Sequence, residues 1–280
     1  MKKFELVFYA NEKFKFPDYF PDLIMDASQH LIDSLKSSEQ PIRDDYVVTE
    51  NLSFAQNTFC IHPDSFLFLD SVVRNRVAWA IDSAIRIFAE KKGLALATGM
   101  VPVGILGHLI ERPKLKPPEQ RGQSIINLKI AYAGSVLSDF FQDSAVVKSF
   151  ATSDITVEMI EFNPLAMSDL AALSPDLVIG NWAGGFNDPA GFLSLLRPLL
   201  GRSFESYLLA HGLDLENALL ESDADARAKK FRDLSRAVVE KGLLIPGWRS
   251  RTYYVAKKGI DRAHSASRYT PRLSEIRLNR

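Results

Sequence analysis

From residue 125 onward, the sequence alternates between short strand-like runs and helix-like segments, and this order limits the possible folds. Apolar runs predict strands over 127–133, 155–162 and 176–181. Apolar residues at helical spacing predict short helices over 139–151 and 165–173. Strands that are separated by helices pair in parallel, with right-handed crossovers. The sequence therefore predicts an α/β fold built on a parallel β-α-β-α-β sheet.

The clearest helix signal lies before this pattern, over 71–92, where apolar residues recur at three- and four-residue steps. Asp70 or Ser71 is the expected N-cap, and Gly93 suits the left-handed residue that ends a helix. The charged residues beside the apolar stripe are interpreted as a solvent-facing side. They are Arg74, Arg76, Asp82 and Arg86.

Other elements follow from shorter patterns of the same kind. The predictions are strands over 4–9, 58–61, 243–246, 253–256 and 276–278, helices over 22–35, 189–200 and 222–241, and a polar connecting segment over 36–53. Ser222 is the expected N-cap of the helix over 222–241, and Pro246 is expected to end the strand over 243–246.

Composition excludes several classes of protein. The chain has 34 Lys and Arg residues against 34 Asp and Glu residues, a formal net charge of zero, so this portion lacks the basic excess that non-specific nucleic-acid binding requires. Its 46% of hydrophobic residues excludes a disordered chain. No apolar run approaches the roughly 18 residues of a membrane span. Met1-Lys2-Lys3 precedes no apolar stretch, so no signal peptide is predicted and a cytoplasmic location stays open.

Motifs for catalysis, cofactors and metals do not stand out in this sequence. The single cysteine, Cys60, is predicted to be a small buried hydrophobic residue. The five histidines show no HExxH spacing, and there is no Gly-x-Ser-x-Gly motif. We therefore predict no catalytic residue, cofactor or metal ligand. A metal site or an active site assembled from distant residues is left open.

One loop suggests ligand binding because it follows the predicted strand over 176–181, at the end of a parallel strand where α/β sheets usually bind ligands. Adjacent glycines let a ligand approach the backbone, and aromatic residues offer flat apolar surface. The predicted ligand-binding residues are Trp182, Ala183, Gly184, Gly185, Phe186, Asn187 and Asp188. A simple turn with both aromatic side chains in the core is the alternative. The loop over 134–138 would be its neighbour if the first and third strands lie side by side.

Several segments form a familiar ordered set. They are 70–82 (Asp-Ser-Val-Val-Arg-Asn-Arg-Val-Ala-Trp-Ala-Ile-Asp), 100–104 with Gly107-His108, 128–132, 182–192, and 223–246 ending in Ile245-Pro246. Together they resemble the second half of family 5 extracellular solute-binding proteins, the oligopeptide-, dipeptide- and nickel-binding group that serves ABC importers. The resemblance covers roughly 58–256.

This resemblance implies a periplasmic-binding-protein-like, two-lobed fold that closes on a peptide or other small ligand without catalysis. Residues 58–256 would form a lobe II-like domain, 1–57 a segment of lobe I and the crossover, and 257–280 a return segment. Most of lobe I would be missing, and the full-length protein would work with an ABC permease in the periplasm or cell envelope. The alternative is a ligand-sensing effector domain of a cytoplasmic transcription regulator with the same fold.

The sequence departs from the family at one position. In peptide-binding members, the first Asp after the Trp meets the α-amino group of the peptide. Matching Asp188-Pro189 to the family's Asp-Pro places Gly185 at that position. Because glycine has no charge to offer, ordinary recognition of a peptide amine is in doubt.

Overall fold

The computed structural model describes residues 23–27, 32, 46–118, 124–132, 136–162, 170, 172–182, 188–192, 205–206, 208–258, 260–261 and 277–278. The strands are β1 (Leu23–Ala27), β2 (Tyr46–Ile61), β3 (Ile126–Tyr132), β4 (Ile155–Glu161), β5 (Leu177–Trp182), β6 (Leu244–Lys257), β7 (Ile260–Asp261) and β8 (Arg277–Leu278). The helices are α1 (Ser71–Lys92), α2 (Val136–Gln142), α3 (Ser144–Thr152), α4 (Leu215–Leu220) and α5 (Ala224–Glu240), with a short 3-10 helix at Phe66–Phe68.

Contacts divide the chain into two compact units. The larger unit comprises 53–250, and the smaller comprises 1–52 together with 251–280. In the smaller unit, β1 pairs antiparallel with the last part of β6, and β7 pairs with β8. The larger unit contains the α/β core and the candidate site.

The centre of the larger unit is the predicted parallel sheet. Strand β3 pairs in parallel with both β4 and β5, which confirms that the first and third strands of the predicted pattern are neighbours. Strand β2 adds to β5 in antiparallel orientation, so the sheet is mixed. Buried aromatic rings of Phe59, Phe88, Phe140 and Trp248 pack edge-to-face or tilted against one another in the core.

Helix α1 begins and ends where predicted and has the predicted caps, so this prediction is confirmed. The Asp70 carboxylate accepts hydrogen bonds from the amides of Val72 and Val73. Gly93 has φ of 61°, the left-handed conformation in which glycine carries no steric penalty. Because cap and stripe are both local signals, this helix could be located from the sequence alone.

The prediction of a solvated charged side on α1 is wrong for Arg74, Arg76 and Asp82, which are buried. Arg86 remains partly exposed and pairs with Asp82 at 2.7 Å. A guanidinium has five donors, so it can be buried when carbonyls surround it. The carbonyls of Leu67, Phe68 and Lys241 accept from Arg74, and those of Ser124 and Ser153 accept from Arg76.

Three predictions near the chain's long strands are also wrong. The predicted helix over 22–35 is wrong for 23–27, which form β1, although Ile32 is helical. The predicted connecting segment over 36–53 contains the start of β2. The predicted strand over 243–246 does not end at Pro246 but continues as β6. Proline's fixed φ suits an extended strand, and hydrogen bonds at Gly247 and Arg249 hold β6 against Ala95 and Ala97.

Helices α2, α3 and α5 lie in predicted helical segments with small shifts, whereas α4 was not predicted. The segment over 139–151 is two helices, because Asp143 lies between them and caps α3 through the amide of Ala145. Asp223 caps α5 in place of the predicted Ser222. Residues 4–9 lie outside the described residues, and 165–173 and 189–200 are described only in part. Among the residues described, no helix combines the length and apolar character that crossing a bilayer requires.

Candidate ligand site at the carboxyl edge of the sheet

The carboxyl ends of the parallel strands lie at the same edge of the sheet. We call it the carboxyl edge and define it by the last residues of the strands, Tyr132, Glu161 and Trp182. Strand β5 continues past the end of β3, since Tyr132 is in register with Ile179. Ligands of open α/β sheets bind at this edge because helix N-termini and loops converge there. The edge is therefore where a binding site is expected.

Strand β2 brings its middle residues to the same edge. In the antiparallel register, Asn57 lies opposite Asn181 and Gln56 lies opposite Trp182. Residues directly opposite each other share a face of the sheet. Asn57 and Asn181 thus form one polar pair beside the end of β5.

Asn57 is the most unusual side chain of this edge. It is 1% exposed, and neither its Oδ1 nor its Nδ2 has a hydrogen-bond partner. Buried amides are normally paired, since an unmade hydrogen bond costs about 1–3 kcal/mol. Asn181 beside it is exposed, so the pair extends from the interior to the surface. Sequence reasoning missed Asn57, although a Gln-Asn pair interrupts an apolar run there.

Gln56, the residue before Asn57, has a different role. Its Nε2 donates to the carbonyls of Gly99 and Met100, at 2.8 and 2.9 Å. The Met100 amide in turn donates to Ser235 Oγ at 2.9 Å. Gln56 therefore anchors the glycine-containing segment after α1 and links it, through Met100, to α5.

The predicted ligand loop over 182–188 is described only at its two ends. Residues 183–187 lie outside the described residues, and Trp182 is described as the last residue of β5. The ligand-binding role of this loop stays a prediction. Trp182, the first residue of the loop, lies opposite Gln56 in the pairing of β5 with β2, so the loop begins at the carboxyl edge.

Asp188, the charged residue of that loop, is already paired. Its Oδ1 accepts from Arg227 Nη2 at 2.9 Å and from the amide of Ala190 at 2.8 Å. Arg227 also donates to the carbonyls of Leu219 and Glu221 at the end of α4. The carboxylate is thus engaged in holding the loop's end to the α4–α5 turn.

Two titratable side chains of the larger unit, Cys60 and His62, have pKa values shifted by burial. Burial raises the pKa of Cys60 to about 12, so the thiol stays protonated at neutral pH, which agrees with its prediction as a buried hydrophobic residue. Burial lowers the pKa of His62, which follows the end of β2 at the opposite edge of the sheet. Within the described parts of the chain, no group of three or more His, Cys, Asp or Glu side chains is placed to hold a metal ion.

A surface cavity of about 430 Å³ lies at the amino half of β3 and β4, away from the carboxyl edge. Its polar lining is of mixed charge, with Lys129 near Glu158 and Asp176. Asp176 is fixed there by Ser65 Oγ at 2.8 Å and the Lys129 amide at 2.9 Å. Of the two acidic side chains in the lining, Asp176 is therefore already engaged.

Comparison with solved structures identifies the fold. Over 86% of its length the chain is similar to half (50%) of a dipeptide-binding protein from a Pseudoalteromonas species solved with Met-Leu (TM-score 0.61, 15% identity). It is similar over 92% of its length to 54% of the OppA protein of Haemophilus influenzae in complex with RPPGFSPFR (TM-score 0.63, 15% identity). NikA from Brucella suis, solved with Fe(III)-EDTA, matches with a TM-score of 0.65 and 14% identity, over 92% of this chain and 57% of NikA.

These structures are family 5 solute-binding proteins, as the sequence resemblance predicted. The chain therefore has a periplasmic-binding-protein-like α/β fold and spans about half the length of the structures it matches. At such low identity, the likeness establishes the fold alone. No protein-family model and no curated protein matches the sequence.

Proposed function

We propose that this chain is the ligand-binding part of a solute-binding protein that serves an ABC importer and captures a peptide-like or other small solute without catalysis. The observation that carries the proposal is the polar pair Asn57–Asn181 at the carboxyl edge of a binding-protein fold. A buried amide with free donors and an acceptor is suited to hold a polar ligand. Its partner Asn181 is exposed and is the member of the pair that solvent reaches.

The non-catalytic part of the proposal is supported by the chemistry of the edge. Asn57 and Asn181 are neutral amides, and the Asp188 carboxylate is paired with Arg227 at 2.9 Å. Acid–base catalysis requires positioned groups that exchange protons near neutral pH. Amides do not titrate in this range, so they favour binding over turnover.

The proposed arrangement places ligand contacts on this chain and on the part of the binding protein that the chain does not span. Residues 58–256 would act as lobe II, with 1–57 contributing to lobe I and the crossover and 257–280 forming the return segment. Asn57 is the last residue of the crossover and lies in the larger unit. A permease in the cell envelope would receive the solute. A ligand held by one lobe alone lacks the contacts of the other lobe. We therefore expect this chain by itself to bind solutes weakly.

Saturation-transfer NMR on the chain tests the proposal, since the method detects weak ligands. The probes are tri-alanine and maltose, each at millimolar concentration. Transfer of saturation to either probe is the expected result, and no transfer to both would contradict the binding role. Titration calorimetry on the same samples is expected to show no Kd tighter than about 1 μM, and a tighter value would contradict the half-site picture.

The sensor alternative shares the fold and the ligand site but not the partners. A solute-binding protein is encoded with a secretion signal, whereas a regulator is encoded with a DNA-binding segment. Sequencing the reading frame upstream of Met1 separates the two, because a helix-turn-helix segment there would overturn the transport role and leave ligand binding in place.

A further inference from the structure

We infer that the surface cavity at the amino half of β3 and β4 is a second binding site, which takes a free α-amino acid with an aromatic side chain. Lys129 would meet the carboxylate of this ligand, Glu158 its ammonium group, and Phe66 its ring. The cavity lies away from the carboxyl edge, so the inference goes beyond the proposed function and does not rest on it.

The first step concerns the floor of the cavity, which is an open face of the parallel pair β3–β4. The register places Asn127 beside Thr156 and Lys129 beside Glu158. The Thr156 hydroxyl donates to Asn127 Oδ1, so these side chains share one face of the sheet. All four residues are exposed. Parallel strands are usually covered on both faces, so an open polar face on this pair is unusual and gives a small ligand direct access.

The second step concerns two opposite charges on this face. Within the described parts of the chain, neither the Lys129 ammonium nor the Glu158 carboxylate makes a hydrogen bond or an ion pair. Neighbouring strands are about 4.8 Å apart, so the two charges lie side by side. In an α-amino acid, a single carbon separates the ammonium group from the carboxylate. A zwitterion of this size meets both charges favourably, whereas an anion or a cation meets one attraction and one repulsion.

The third step concerns the apolar part of the lining. Phe66 is 45% exposed, although its chain neighbours Ser65 and Leu67 are buried. A ligand ring that packs against Phe66 removes apolar surface from water and gains an aromatic contact. The cavity volume of about 430 Å³ is in the range of small-molecule sites. The lining therefore favours an amino acid that has an aromatic side chain.

The fourth step concerns how Asp176 holds the lining together. Its Oδ1 accepts from Ser65 Oγ at 2.8 Å, and its Oδ2 accepts from the Lys129 amide at 2.9 Å. Its own amide donates to the Lys129 carbonyl at 2.8 Å. Ser65 also accepts from the Leu67 amide and so caps the 3-10 helix that carries Phe66. The backbone at Phe66 and Lys129 is thus fixed before a ligand arrives, which lowers the entropic cost of binding.

The experiment is chemical-shift mapping of the full chain with L-phenylalanine up to tens of millimolar. The largest shifts are expected at Asn127, Lys129 and Glu158, with a Kd of about 1–10 mM because solvent screens both charged contacts. N-acetyl-phenylalanine lacks the ammonium group and phenylalanine amide lacks the carboxylate. Each is expected to bind about threefold more weakly than phenylalanine, and L-alanine about fivefold more weakly.

Two variants test which charge reads which end of the ligand. In Glu158→Gln, the preference for phenylalanine over N-acetyl-phenylalanine should disappear. In Lys129→Gln, the preference over phenylalanine amide should disappear. A general loss of structure would instead weaken all ligands together. The matched control is Glu161→Gln, since Glu161 is exposed on the same strand but outside the cavity lining, and this variant should keep both preferences.

Tri-alanine separates this site from the carboxyl edge. Its charged ends are three residues apart and it has no aromatic side chain, so it should shift the cavity amides little. Shifts by phenylalanine at the carboxyl edge alone would overturn the inference and leave the proposed function standing. Shifts by phenylalanine at the cavity, with no response of the carboxyl edge to tri-alanine, would do the reverse.

Three further results would overturn the inference. The absence of shifts at the cavity with phenylalanine at tens of millimolar would show that no such site exists. Equal binding of phenylalanine and its two blocked derivatives would show that the charges are not read. A preference that persists in Glu158→Gln, or that is lost in Glu161→Gln, would place the ammonium group elsewhere.

Discussion

At the scale of single residues, the buried arginines of α1 show how charge is accommodated in this core. Arg74 donates to the carbonyls of Leu67, Phe68 and Lys241 at 2.9–3.0 Å, and so joins the 3-10 helix, α1 and the end of α5. Replacement by an apolar residue would leave these carbonyls buried without their donors. Arg74 is therefore a structural residue.

We expect Arg74→Met to lower the free energy of unfolding by about 2–4 kcal/mol, because up to three carbonyls lose their donors. Arg86→Met on the same helix is the control, since Arg86 is 46% exposed at its side chain and makes one ion pair. Arg86→Met should lower the free energy of unfolding by no more than about 1 kcal/mol. Urea denaturation of both variants measures the difference, and equal losses would contradict this role of Arg74.

Gly247 is a residue whose missing side chain matters. A Cβ there would lie 2.6 Å from the carbonyl oxygen of Asn57, and backbone atoms between paired strands have little room to move. We expect Gly247→Ala to destabilise the chain by about 1–3 kcal/mol. Thermal unfolding checks this value, and an unchanged Tm would show that β6 can separate from β2 at this point.

His62 gives the chain a pH dependence of stability. Burial lowers its pKa from the ordinary value of 6.5, so the unfolded chain binds a proton more readily than the folded one. The stability is therefore complete above about pH 6.5 and falls as the pH is lowered below this value. Unfolding measured from pH 7.5 to 5 should show this decline, and His62→Gln should reduce it. A decline of the same size in His62→Gln would contradict the assignment to His62.

At the scale of elements, the ion pair Asp188–Arg227 connects the end of the predicted ligand loop to the turn between α4 and α5. Arg227 is 15% exposed and Asp188 is 38% exposed at the side chain, so solvent screens the pair in part. We expect a double-mutant cycle of Asp188→Asn and Arg227→Met to give a coupling of about 1 kcal/mol. The single variant Arg227→Met should lower the free energy of unfolding by more than this coupling, since it also removes donors from the carbonyls that end α4. A coupling of zero would contradict the pairing.

The elements that could be predicted from sequence are those whose signals are local. Helix α1 has its cap, its apolar stripe and its terminal glycine within one segment, and the parallel strands carry continuous apolar runs. Strand β1 could not be predicted, because its extended form depends on pairing Leu23 with Ala256. The same limit applies to Asp188, whose partner Arg227 is 39 residues away along the chain.

The candidate site also combines a feature that the sequence predicts with one that it does not. A site at the ends of the parallel strands is predicted from the order of elements alone. Asn57 was missed because its unpartnered amide results from packing between β5 and β6, which sequence spacing does not report.

At the scale of the whole molecule, two compact units share the long strands β2 and β6, since the division falls after Leu52 in one and after Ser250 in the other. The larger unit contains the parallel core, the carboxyl edge and Asn57. The likeness to binding proteins extends over 86–92% of the chain but only about half of each protein compared. In the proposed function, this chain contributes ligand contacts at the carboxyl edge, and the remaining contacts come from a part of the binding protein that the chain does not span.

Chemical-shift mapping of backbone amides during a titration with tri-alanine tests whether ligand binds at the carboxyl edge. We expect the largest shifts at Asn57, Asn181 and 182–188, where the strands end. Shifts concentrated at Asn127, Lys129 and Glu158, around the cavity of the opposite edge, would contradict it, as would the absence of shifts at peptide concentrations of tens of millimolar, at which even a weak millimolar site is occupied.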